Sequence, residues 1–135
     1  MRVVVDTNVI VSGIFWAGTP GRILESWTTG EFELIVSPGI LDEYFEVLDR
    51  IAARIQRQDL ARQWKALLFE HSEMAQSTYQ YAHCRDPDDA MFVEAAVCGG
   101  ASCIITGDDD LLTLGTVEGV AILTPAQFVE RTDLS

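Results

Sequence analysis

Positive charge is scarce in this chain. Lysine and arginine together number nine against twenty-one acidic residues, and Lys65 is the single lysine. The net charge of -12 argues against a polyanion partner held by bulk electrostatics, because nucleic-acid binding of that kind leaves a basic footprint. Cysteine is also sparse. Cys84, Cys98 and Cys103 form an odd set without a C-x-x-C pair, so neither a disulfide framework nor a cysteine zinc site is expected, and a reducing compartment fits best. No apolar run approaches the roughly 18 residues of a transmembrane helix, and the N-terminus lacks the pattern of a secretory signal. The expectation is a cytoplasmic protein with no membrane partner. Gly18 and Gly21 flank a Thr-Pro turn without the G-x-x-x-x-G-K spacing of a phosphate loop, so ATP or GTP use is not indicated.

What the chain does have is enough apolar material for one core. With 135 residues and 48% hydrophobic content, residues 1–135 are expected to form a single domain. The runs "RVVVD" (Arg2 to Asp6), "ELIVS" (Glu33 to Ser37), "CIIT" (Cys103 to Thr106) and "VAIL" (Val120 to Leu123) are short and β-branched, as in parallel strands covered on both faces. Helical patterns separate them. From Ser37, a candidate N-cap followed by Pro38, the residues Ile40, Tyr44, Val47, Leu48 and Ile51 form one stripe. A second helix is expected from about Gln58 to Phe69, and a third opens at Asp86 and Pro87 and stops at Gly99 and Gly100. Shorter helices are expected near Arg22 to Thr28 and Pro125 to Glu130. "HSEMAQSTYQYAHC" has neither period and is expected to hold at most one irregular strand. Alternation of this kind implies right-handed crossovers and a three-layer α/β fold with a mostly parallel central sheet flanked by helices.

Sites in open parallel sheets form at the carboxyl ends of the strands. Asp6 ends the first strand and Asp108 follows "CIIT" by two residues, so both face one crevice if their strands are neighbours. Glu43 falls about 40° beyond the stripe edge at Val47, and Asp89 sits one turn before Phe92 and Val93, heading the apolar face of its helix. Each acid also has a plain structural explanation. Asp86 and Asp89 resemble a helix cap with an acid in the first turn, and Glu43 can pair with Arg50. Asp6 can start a turn with Thr7 and Asn8, and Asp108, Asp109 and Asp110 can cap the helix of "LLTL". Four carboxylates converging from separate segments need neutralisation, since a like-charge pair at about 4 Å costs roughly 4 kcal/mol at an effective dielectric of 20. Oxygen ligands, with only His71 and His83 as alternatives, suit Mg²⁺ or Mn²⁺, and such a site suits phosphodiester hydrolysis.

The ordered set "VVDTNV" (Val4 to Val9), "SPGILDEYFEVL" (Ser37 to Leu48), "DPDDAMFVEAAVCGGA" (Asp86 to Ala101) and "IITGDDDLL" (Ile104 to Leu112) resembles a PIN domain, nearest to bacterial toxin components related to VapC ribonucleases. That resemblance covers nearly the whole chain. It implies a PIN-like sheet and metal-dependent endoribonuclease activity, often on tRNA or other structured RNA, with a homodimer and a small antitoxin as partners. It also implies that Asp6, Glu43, Asp89 and Asp108 form the acidic quartet that binds the metal and the water it activates. Asp110 matches a further acidic position, Asn8 and Thr106 match supporting polar residues, and Asp86 and Asp88 are left as capping and supporting candidates.

Two other classes compete. One is a catalytically silent PIN fold that binds RNA or protein, and the other a Mg²⁺-binding receiver-like signalling domain, which the placement of Lys65 in a helical region disfavours. The acidity fits an RNA substrate poorly, although Arg50, Arg54, Arg57, Arg62 and Lys65, five of the nine positive residues, share one segment that can grip phosphates or simply form a solvated helix face. Phe15 and Trp16 invite a base-stacking role, but core packing or a dimer contact is the expected one, as for Trp27 and Trp64.

Overall fold

The computed structural model describes residues 1–75 and 87–132, with the side chains of residues 87 and 88 excepted. His83, Cys84, Asp86 and the side chain of Asp88 therefore lie outside the described residues. The chain runs β1 (Arg2–Val5), α1 (Thr7–Phe15), α2 (Gly18–Thr28), β2 (Glu33–Val36), α3 (Pro38–Ile55), α4 (Gln58–His71), β3 (Glu73–Met74), α5 (Pro87–Cys98), β4 (Cys103–Ile105), α6 (Asp109–Leu112), β5 (Thr116–Val117), β6 (Val120–Leu123) and α7 (Pro125–Thr132). Among the described residues six strands are ordered β3-β2-β1-β4-β6-β5, all parallel except the β5–β6 pair.

Strands β1, β2, β4 and β6 are largely buried, as their unbroken β-branched runs require, while the short edge strands β3 and β5 are more exposed. Val3, Val4 and Val5 are each fully buried, and so are Ile104 and Ile105. At about 1.5–3 kcal/mol for each large apolar side chain removed from water, these central strands carry much of the core. Helices α1 to α4 pack on one another, α2 also meets α7, and α5 packs on β1, β2 and β4, giving a three-layer α/β arrangement with the sheet in the middle.

Strand β1 pairs with β2 on one side and β4 on the other, with Val5 opposite Ile105. The order of strands reverses there, so the crevice at their carboxyl ends is where this topology leaves room for a ligand. The expected strands and long helices are present, and β3 supplies the irregular strand. Two elements depart from expectation. The residues after Asp6 form helix α1 rather than a turn, because the Asp6 carbonyl accepts the N–H groups of Val9 and Ile10 at 3.0 and 3.2 Å. Helix α2 begins at Gly18, four residues before Arg22, and Gly13 permits the α1–α2 approach: a Cβ there would lie 2.8 Å from the Pro20 carbonyl oxygen.

Candidate active site

Each expected acid reaches the crevice by a different local device. Asp6 stands between β1 and α1 with extended backbone (φ -63°, ψ 148°), and its N–H donates to the Ile105 carbonyl at 2.9 Å. Its carboxylate makes no capping bond to the helix it precedes. Instead the buried Thr106 hydroxyl donates to Asp6 Oδ2 at 2.6 Å, while the same hydroxyl accepts the Asp108 N–H at 3.0 Å. One side chain from the end of β4 thus fixes both the Asp6 carboxylate and the backbone of Asp108. Asp108 is the N-cap of α6, its Oδ1 accepting the Asp110 N–H at 2.9 Å.

Glu43 is half-buried on α3, and the Thr7 hydroxyl at the start of α1 donates to its Oε2. The neighbouring Tyr44, fully buried, donates its phenol to the carbonyl of Val5, the residue just before Asp6. Two consecutive residues of α3 therefore tie it to the end of β1. Ser37 caps this helix as expected, accepting the Ile40 N–H at 3.2 Å. Asp89 is 9% exposed and buried at the start of α5.

Asp6, Thr7, Asn8, Glu43, Val47, Asp89, Phe92 and Asp108 line one cleft of about 210 Å³. The four acids of the expected quartet are thus brought together, with Asn8 beside them and Thr106 beneath. Among the described residues a closer grouping differs from the quartet: single carboxylate oxygens of Asp89, Asp108 and Asp110 lie within 4.8 Å of one another. At that limiting separation two like unit charges repel by about 0.9 kcal/mol in bulk water and about 3.5 kcal/mol at an effective dielectric of 20. A larger cleft of about 330 Å³ is bounded by Trp27, Phe32, Leu67 and His71 but has Glu33 as its one carboxylate, so converging charge belongs to the smaller one.

Burial raises the Asp6 pKa above its ordinary 3.8; the Thr106 hydroxyl and the Thr7 N–H oppose that rise, and the Asp108 charge adds to it. Burial, followed by the negative charges of Asp6 and Glu43, pushes the Tyr44 phenol well above its ordinary range, which keeps it a neutral donor. Thr7 and Tyr44 are the polar residues that sequence reasoning missed. Thr7 had been absorbed into a turn. Tyr44 counted as core, although a buried phenol needs a partner and so carried a signal.

The alternatives for the single acids fare unevenly. Asp108 does cap α6, as its plain explanation required. Arg50, however, pairs with Glu46 at 3.9 Å, while Glu43 turns to Thr7. Trp27 is buried and stacks on Trp64, Phe15 packs against the core, and Trp16 is 62% exposed.

A doubly covered parallel sheet with an acidic crevice at its topological switch point defines an α/β domain of the PIN type. The chain belongs to the PIN-domain family, whose model, described as "PIN domain", matches residues 2–110. Among solved structures, the chain is similar in fold to the crystal structure of VapBC2 from Rickettsia felis bound to a DNA fragment from their promoter, with a TM-score of 0.63 and 16% sequence identity over 90% of this chain and 97% of that one. A search of curated protein sequences gave no match.

Proposed function

We propose that this chain is a divalent-metal-dependent endoribonuclease of the VapC type, hydrolysing RNA phosphodiester bonds as a toxin. The observation that carries the reading is the cleft itself, in which acids from four separate segments meet. Among the described residues its donors are all oxygens, with neither histidine nor cysteine in the lining. That set fits Mg²⁺ or Mn²⁺ better than zinc. The quartet of Asp6, Glu43, Asp89 and Asp108 would hold the ion, with Asp110 as a fifth acidic ligand. When bound, the ion supplies charge neutralisation at the phosphate and a more acidic water.

The chain's own residues do the rest. Thr106 holds the Asp6 carboxylate in place, Thr7 orients Glu43 toward the cleft, and Asn8, exposed at its mouth, offers an amide donor to a phosphate oxygen. An open, polar cleft suits a backbone phosphodiester. Family membership and the fold shared with VapBC2 support the toxin reading, and with it a cognate antitoxin and a homodimer, in a single cytoplasmic domain over residues 1–135. Among the described residues no helix is long and apolar enough to cross a membrane.

The net charge of -12 favours one second reading, a PIN fold that binds RNA or protein without cleaving. The receiver-like reading loses ground, because Lys65 lies on α4 and pairs with Asp49 at 2.8 Å. Cleavage of total RNA by wild type, Asp6→Asn and Asp89→Asn, with Mn²⁺, with Mg²⁺ and with chelator, separates the remaining two. Discrete fragments that require metal and both aspartates are expected, with each variant slower by at least about a hundredfold. Wild-type rates in either variant would remove that residue from the site. Tight RNA binding with no cleavage would establish the silent module.

A further inference from the structure

An acidic protein that cleaves RNA needs some path along which the phosphate chain can approach, and helix α3 contains a candidate. Successive residues of an α-helix turn by about 100° and rise by about 1.5 Å. Measured from Glu43, Val47 lies about 40° round the helix, Arg50 about 20° the other way and Arg54 about 20° on the Val47 side. Glu43 and Val47 both line the cleft. The same face therefore continues out of it into Arg50 and Arg54, about 10.5 and 16.5 Å along the axis.

The core-facing residues Ile40, Leu41, Tyr44, Leu48 and Ala52 occupy a different sector, about 60–180° from Glu43, so this face is not consumed by packing. Helix α4 does not cover it either. The Lys65–Asp49 pair marks where α4 meets α3, and Asp49 lies about 120° from Glu43 on the opposite side.

The five clustered cations are not equivalent: Arg62, exposed and without an ion pair among the described residues, lies on α4 and not on this face of α3. Arg57 is held by Asp59 through two bonds of 3.0 and 3.1 Å, and Lys65 by Asp49. Arg50 has only a 3.9 Å contact with exposed Glu46, a pair worth little in water, and among the described residues Arg54 has no ion pair. Arg50 and Arg54 are also i,i+4 neighbours of like charge, an arrangement that costs a helix stability until an anion lies between them.

We infer that Arg50 and Arg54 form a phosphate track for single-stranded RNA leading into the acidic cleft. The inference rests on the nuclease reading above. The substrate strand would lie along α3 with backbone phosphates on the two guanidinium groups, and its scissile phosphate at Glu43 and the aspartates. Arg57 and Lys65, each already held by an aspartate, would contribute less.

The test is steady-state cleavage of a short labelled single-stranded RNA with Mn²⁺ across a salt series, using wild type, Arg50→Gln/Arg54→Gln, Arg50→Lys/Arg54→Lys and Arg57→Gln. Fluorescence anisotropy in chelator reads binding separately. The Gln pair is expected to raise KM about tenfold with kcat within about twofold, and to flatten the dependence of log affinity on log salt by about 1.4, at about 0.7 per phosphate contact. The Lys pair restores most of the slope, and Arg57→Gln stays near wild type. An unchanged KM and slope in the Gln pair, while wild type still cleaves, would overturn the track and leave the nuclease. Failure of wild type to cleave or bind RNA would overturn both.

Discussion

Among single residues, Asp6 has the clearest conflict between folding and its proposed role. The residue is 6% exposed, its pKa is raised by burial, and the Thr106 hydroxyl and Thr7 N–H only partly offset the desolvation. Because the folded pKa lies above 3.8, the native state keeps a proton that the unfolded state has lost as pH rises through that window. Stability contributed by this group is therefore present below the unfolded value and falls as pH rises through the folded one. At neutral pH the metal-free protein bears the cost of a buried charge. Asp6→Asn removes that charge while leaving an amide oxygen to accept the Thr106 hydroxyl. In chelator at neutral pH the variant is expected to melt a few degrees above wild type, with the gap shrinking as pH falls through the raised folded pKa and gone below the unfolded value, where Asp6 is neutral in both states. A variant that melts lower than wild type throughout would mean that the carboxylate is structurally required rather than tolerated for binding.

At the scale of elements, helix α3 connects the fold to the site. Tyr44 is wholly buried and its phenol reaches the Val5 carbonyl, one residue before Asp6. Tyr44→Phe keeps the packing and deletes the donor, leaving a buried carbonyl short of a partner, which costs about 1–3 kcal/mol. Denaturant melts should give that loss, and because Glu43 is the adjacent residue, RNA cleavage should fall more steeply than stability alone explains. A loss of stability with unchanged kcat would confine Tyr44 to the core. These same elements divide what was legible in the sequence from what was not. Strands β1, β2, β4 and β6 and helix α3 could be read because their apolar period and the Ser37-Pro38 start are local signals. Asp6, Glu43, Asp89 and Asp108 followed, since strand ends and helix phase place carboxylates with little tertiary knowledge. Helix α1 was not legible: Asp6 bears an N-capping side chain that the structure uses elsewhere, on Thr106, one hundred positions along the chain. The Thr7–Glu43 bond and the close trio of Asp89, Asp108 and Asp110 likewise depend on contacts between distant segments, to which no local pattern points.

For the whole molecule, the charge of -12 makes the cleft an extreme of a general condition. Net repulsion opposes the compact state, and monovalent salt relieves it by screening over about 10 Å at 0.1 M. A site ion would act differently, binding the folded cluster and stabilising it by mass action, by about 2.7 kcal/mol at a hundredfold excess over its Kd. For a chain of this size that corresponds to a rise in Tm of about 10 °C. Melting curves with millimolar Mn²⁺, compared with sodium chloride at matched ionic strength, separate the two effects. The expected result is a Mn²⁺ rise well beyond the sodium control in wild type, most of it lost in Asp89→Asn, because Asp89 is the buried member of the close trio. Equal rises with both salts would mean that the cations merely screen the acidic surface. The cleft would then be a repulsive feature without an ion to justify it, and the silent binding module would become the better account of the same fold.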